Sequence, residues 1–184
     1  MINKTFLVAR QFIKNIKIVA LPFLFLWSLL TPSQSFANNF HLAVASNFIV
    51  PIQHLAKAFE KETGHKLTLS FGSSGKLFAQ IKHGAPYDIF LSADLIKPHT
   101  LIEDQIAVPK SLTIYAKGQL ALWSKATAPL SSLEEALFNA KRIAIANPKL
   151  APYGKAAEES LRHLSLWDKV QSKLVRGENI GQTY

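Results

Sequence analysis

Between Lys66 and Lys82 the chain passes from an alternating run, Lys66-Leu67-Thr68-Leu69-Ser70-Phe71, through Gly72-Ser73-Ser74-Gly75 and directly into a helical run. Period-two alternation specifies a strand, so the small-residue stretch is a strand-to-helix joint. The first turn of a helix carries N–H groups with no partner inside the helix, and serine hydroxyls add further donors. Such a joint is a cradle for an anion. A second joint of the same kind lies upstream at Ala45-Ser46-Asn47-Phe48. Two neutral, donor-rich joints in one chain point to capture of an oxyanion rather than to bond-breaking chemistry. The competing reading at Ser46, Asn47, Ser73 and Ser74 is plain helix capping.

The same alternation continues along the chain. Hydrophobic spacing predicts strands over 41–45, 66–71, 88–92, 142–146 and 173–175, and helices over 48–63, 75–82, 131–140 and 152–164. Gly64 and Gly84 stop helices, and Ser131 or Ser132 caps the acidic-first one. A short helix is expected after Asp94, with Pro98 limiting its early part, and two more strands over 112–116 and 119–123 around Lys117-Gly118. This pattern is α/β with a mainly parallel sheet. Ligands of such sheets bind outside the carboxyl ends of the strands. Both serine joints and the 147–154 turn follow strands and precede helices, so they can converge on one edge. The sequence ends at Tyr184 inside a helix that begins near Asn179, and reads as C-terminally incomplete.

Residues 1–37 read as a secretory signal, with 38–184 as the mature domain. Lys4, Arg10, Lys14 and Lys17 form a basic n-region, 18–30 an apolar core broken by Pro22, and Ser35-Phe36-Ala37 a cleavage site. The apolar run is short for a membrane span; the alternative is an uncleaved anchor. No twin arginine is present, which favours the general secretory route. The absence of cysteine excludes a lipid-modified cysteine, a disulfide framework and thiolate metal ligands. A soluble periplasmic protein is expected. The formal net charge is +9, but four positive charges leave with the signal. The remaining lysines are scattered with no aromatic-interleaved stripe, which argues against nucleic acid. A mild positive field helps draw in a small anion.

Other chemistry fits less well. A nucleophile elbow at Ser74 needs glycine two positions to either side; Gly72 satisfies one and Lys76 occupies the other. His54, His65, His83, His99 and His163 fall on solvated helix faces or turns, and His41 at a strand start, none placed as a base. Histidines and carboxylates lack metal-ligand spacing. Asp88 and Asp94 read as turn and cap residues, and Trp123 and Trp167 as packing.

Six blocks, taken in order, carry a resemblance: Ala43-Val44-Ala45-Ser46-Asn47-Phe48; Leu69-Ser70-Phe71-Gly72-Ser73-Ser74-Gly75-Lys76-Leu77; Gly84-Ala85-Pro86-Tyr87-Asp88-Ile89-Phe90-Leu91-Ser92-Ala93-Asp94; Ile145-Ala146-Asn147-Pro148; Ala151-Pro152-Tyr153-Gly154; and Leu174-Val175-Arg176-Gly177-Glu178-Asn179-Ile180. From about Phe40 to Tyr184 the chain resembles the periplasmic molybdate-binding proteins of bacterial molybdate ABC importers. The resemblance implies a two-lobed type II periplasmic-binding-protein fold with a hinge and a cleft. It implies molybdate or tungstate held by neutral donors from Ser46, Asn47, Ser74, Tyr153 and Ile180. Tyr153 and Ile180 match positions that chiefly offer backbone N–H, and the Tyr153 ring walls the pocket. The metal would arrive as its oxyanion, with no direct metal ligands, no cofactor and no catalysis. The implied partner is a membrane permease, with the receptor itself a monomer. Family members have a C-terminal segment completing the first lobe, which lies beyond Tyr184. Rival readings are a receptor for sulfate or another tetrahedral oxyanion, a secreted serine hydrolase using Ser74, and a non-functional remnant.

Overall fold

The computed structural model describes residues 38–125 and 132–184. The expected signal, its cleavage site after Ala37, and Ser131 lie outside the described residues.

The run Leu42-Ala43-Val44-Ala45 is apolar on both faces, as suits a strand covered on both sides. It forms the end of β1 (Asn39–Ala45) and is fully buried. β1 is the middle strand of a parallel sheet with β2 (Lys66–Gly72) and β3 (Ile89–Leu91), in the order β2-β1-β3. A 3₁₀ turn at Ser46–Phe48 leads from β1 into α1 (Ile49–Thr63). Helical spacing turns Ile52 and Ala56 of α1 inward, and Ile52 packs with Leu42 and Val44. Gly64 ends α1, its N–H bonded to the Glu60 carbonyl at 3.0 Å. The Glu60 carboxylate accepts the Leu67 N–H at 2.9 Å, and this bond holds its pKa below the ordinary value. α2 (Ser74–Lys82) follows β2 directly, and α3 (Ile96–Glu103) follows β3. Asp94 starts α3 by accepting the Lys97 N–H at 3.0 Å, the capping role expected of it.

A second parallel pair, β4 (Ile143–Ala146) and β5 (Leu174–Gly177), forms its own sheet. α4 (Leu133–Asn139) precedes β4 and is capped by Ser132, which accepts the Glu135 N–H at 3.1 Å. α5 (Pro152–His163) and α6 (Trp167–Val170) connect β4 to β5, and α7 (Ile180–Thr183) follows β5. Leu137, Ile143, Ile145, Leu161, Leu166, Trp167 and Val170 form one core here. Trp167 thus packs as expected, with the Arg162 guanidinium 4.7 Å over its ring. Trp123 is 61% exposed and meets only the Tyr184 ring, at 5.3 Å, among the ring contacts of the described residues.

The α/β class with parallel sheets is as the sequence predicts, and element bounds agree to within a few residues. The expected strands over 112–116 and 119–123 do not form. Residues 112–125 carry no regular secondary structure and are largely exposed, with Tyr115 partly covered. Alternation sets which side chains share a face, but a strand exists only where a neighbour supplies its ladder. None of the described strands pairs with this stretch. Among the described residues no helix is long and apolar enough to cross a membrane.

Candidate functional site

The parallel register sets Ala45 opposite Gly72, so both serine joints begin side by side at the carboxyl end of the three-stranded sheet. Ser46 Oγ donates to the Gly72 carbonyl at 3.0 Å and ties the joints together. Its proton is therefore committed to the protein, and what this turn offers a ligand is chiefly backbone N–H. Neither Ser46 nor Asn47 caps a helix: the residues in cap position are Ala45 and Phe48, without side-chain cap bonds.

At the second joint capping falls to Ser73, whose Oγ accepts the Lys76 N–H at 3.3 Å. Ser74 does something else. Ser74 is 1% exposed, and its Oγ accepts the Ala93 N–H at 2.9 Å. A hydroxyl has one donor and two acceptor sites. Ala93 occupies one acceptor and aligns the group, and the O–H remains able to donate.

The carboxyl ends of the second sheet face the same place. The Gly75 N–H donates to the Leu150 carbonyl in the turn after β4, at 2.9 Å. A Cβ at Gly75 would stand 2.7 Å from that oxygen, so only glycine permits the approach. Lys76 Nζ and Glu178 Oε1 are 3.1 Å apart, Lys76 two positions after Ser74 and Glu178 two positions before Ile180. A Cβ on Gly181, beside Ile180, would lie 3.5 Å from Ser46 Cβ. Tyr153 occupies the first turn of α5 behind Pro152, where Ala151 supplies no side-chain cap. α5 starts hard against β4: a Cβ at Gly154 would meet the Ala146 carbonyl oxygen at 2.1 Å. The structure thus gathers the loops bearing Ser46, Asn47, Ser74, Tyr153 and Ile180 at the facing ends of two sheets.

Two of the lysines nearby are held in ion pairs, while Lys117 also lines the groove. Lys76 faces Glu178, and Lys97 faces Asp94 at 2.5 Å. A dianion there would be held by N–H and O–H dipoles, without the desolvation cost of a dedicated counter-charge. Among the described residues no group of three or more histidines or carboxylates could hold a metal ion. A histidine–serine pair does occur nearer the amino ends of the strands: His41 Nε2 lies 2.8 Å from Ser70 Oγ. Asp88, however, accepts the His41 main-chain N–H at 2.7 Å instead of orienting its ring. The bonded partner of Ser74 Oγ is a backbone N–H, and a nucleophile would need a base there.

Two residues here, Ala93 and Tyr115, are not among those the sequence singles out for the site. Ala93 aligns Ser74 through its backbone. Tyr115 Oη donates to the Ser92 carbonyl at 2.9 Å, and its ring meets Phe48 edge-on at 4.9 Å. Burial, and secondly Tyr153, push the Tyr115 hydroxyl pKa up. Together with Asn47 and Tyr153 they line part of an open groove of about 1220 Å³. The groove as a whole, which also takes in Ile102 and Ile106, is much larger than a tetrahedral ion.

A family model described as bacterial extracellular solute-binding protein matches residues 40–184. The chain is 42% identical to "Molybdate-binding protein ModA" of Rhodobacter capsulatus over 143 residues, 77% of this chain and 57% of that protein. It is 43% identical over 152 residues to the protein of the same description from Azotobacter vinelandii, covering 80% of this chain and 60% of the relative. The solved structure of the Azotobacter vinelandii periplasmic molybdate-binding protein superposes with a TM-score of 0.74 at 40% identity, covering 78% of this chain and 64% of that one. The chain thus spans 57–60% of the length of these two curated relatives.

Proposed function

Since the chain belongs to the bacterial extracellular solute-binding protein family, we propose that it serves as the periplasmic receptor of an ABC importer and captures molybdate or tungstate. It acts as a monomer that hands its ligand to a membrane permease, and it performs no catalysis. One observation carries the ligand class: loops from two sheets, joined through Gly75–Leu150 and Lys76–Glu178, meet around Ser74, and those at Ser46 and Tyr153 enter their helices without a side-chain cap. A dianion leaving water must replace its hydration with many hydrogen bonds. In this reading Ser74 donates its hydroxyl proton, Asn47 its side-chain amide, and Ser46, Tyr153 and Ile180 their backbone N–H groups. The Tyr153 ring walls the site. The identity to two proteins described as molybdate-binding favours molybdate over other oxyanions.

Neutral donors cannot separate two dianions by charge, so selection rests on cavity size. Calorimetric titration of the protein with molybdate, tungstate, sulfate and phosphate tests this. Molybdate and tungstate should bind far more tightly than the smaller ions. Equal displacement by sulfate would transfer the assignment to a sulfate receptor. Ser74→Ala should weaken molybdate binding by about one to two decades, the worth of a hydrogen bond to a charged partner at roughly 1.5–3 kcal/mol. Unchanged affinity would remove Ser74 from the site.

A further inference from the structure

Lys76 and Glu178 belong to different sheets. Lys76 lies in the first turn of α2, in the three-stranded half, and Glu178 lies between β5 and α7, in the two-stranded half. Their side chains meet at 3.1 Å. Each stands two positions from a proposed ligand residue: Ser74 precedes Lys76, and Ile180 follows Glu178. Parting this pair therefore means parting the two sets of donors. The neighbouring contact between the same halves, Gly75 N–H to the Leu150 carbonyl, is neutral. The ion pair differs in being exposed, with side chains 53% and 33% accessible, so salt reaches it.

We propose that Lys76 and Glu178 form an electrostatic bolt across the mouth of the oxyanion site, one that holds the two halves together and sets how fast the ion is released. The role in release rests on the oxyanion-receptor reading; the role in holding the halves does not. With Glu178 present, the Lys76 charge closes the mouth instead of adding a counter-charge that would bind any dianion. An exposed pair contributes up to about 1 kcal/mol, so its loss should accelerate release by roughly two- to fivefold and leave the bound ion's own hydrogen bonds intact.

The test has two arms on the same protein. In the first, release of radiolabelled molybdate is chased with unlabelled molybdate, at low and high sodium chloride. Lys76→Gln and Glu178→Gln should each release about two- to fivefold faster at low salt. Unmutated protein should approach them at high salt, and the charge swap Lys76→Glu with Glu178→Lys should restore slow release. Single variants that release no faster would overturn the proposal. So would acceleration from Lys76→Gln alone that the swap fails to rescue, since Lys76 would then act on the ion directly. The second arm needs no ligand. The chain has no cysteine, so spin labels attach only at introduced sites. Glu62→Cys, near the end of α1, and Lys141→Cys, just before β4, are exposed positions near the amino ends of the two sheets. The distance distribution between these labels should broaden on Lys76→Gln and on added salt, and narrow again with the swap. A width indifferent to all three would overturn the bolt. If unmutated protein binds no molybdate while the width responds as stated, the bolt stands and the ligand assignment falls.

Discussion

Around β4 and β5, three helices bury Leu137, Ile145, Leu161, Leu166 and Val170 to within a few per cent of zero exposure. Around β1 the same strand-then-helix grammar buries Leu42, Val44, Ile52, Leu77 and Leu101. It leaves more apolar side chains in contact with water, among them Phe71, Ile89, Ile106, Ile114 and Leu120, than the Leu133, Phe138, Leu164 and Val175 that the other half exposes. Yet both halves present helix-starting turns, at their sheets' carboxyl ends, to a common point. A donor-bearing edge depends on strand register and helix starts, which are local and parallel in both halves. A sealed core depends on what lies over each face. The two properties are separable, and this molecule separates them.

The contrast is most exposed to refutation in the cores. Leu166→Ala, at a fully buried position of the two-stranded half, should cost about 2–5 kcal/mol in denaturant unfolding. Leu120→Ala, in the exposed stretch beside the other sheet, should fall within about 0.5 kcal/mol of zero. Equal losses would mean that the two halves are packed alike.

A smaller effect is expected where the halves touch. In Gly75→Ala the added methyl would stand 2.7 Å from the Leu150 carbonyl oxygen. The backbones must draw apart, at a cost of about 1–3 kcal/mol. Because that cost falls on the contact between halves, molybdate affinity should drop by about a decade or more, measurable by calorimetry. An unaltered affinity would show that the donors do not need this approach to act together.

The smallest expected effect is an alkaline one centred on Tyr115. Tyr115 keeps its proton to higher pH in the folded protein than in the unfolded chain. Folding stability is therefore fully present below the ordinary tyrosine pKa of about 10 and is lost as pH rises through the raised folded value. Tyr115→Phe should flatten that part of the stability–pH curve in denaturant titrations above pH 10. A curve identical to that of unmutated protein would indicate that the hydroxyl is not buried beside Tyr153 in solution.

Much of the architecture is legible in the residues themselves. The strand at Leu42-Ala43-Val44-Ala45, the helix that Gly64 stops, the cap at Ser132 and the Gly-Ser-Ser-Gly joint each follow from forces acting over a few neighbours: side-chain periodicity, local capping and chain reversal. Those same forces place the donor-bearing loops at strand ends. They do not decide which donors remain for a ligand. Ser46 and Ser74 look alike as sequence, but the first gives its proton to the Gly72 carbonyl and the second accepts from Ala93. The Gly75 N–H looks like a free helix-start donor and is taken by Leu150. The stretch over 112–123 alternates like a strand and finds no ladder. In each case the deciding partner lies far along the chain, and hydrogen bonds to distant groups are settled only when tertiary packing brings the two together.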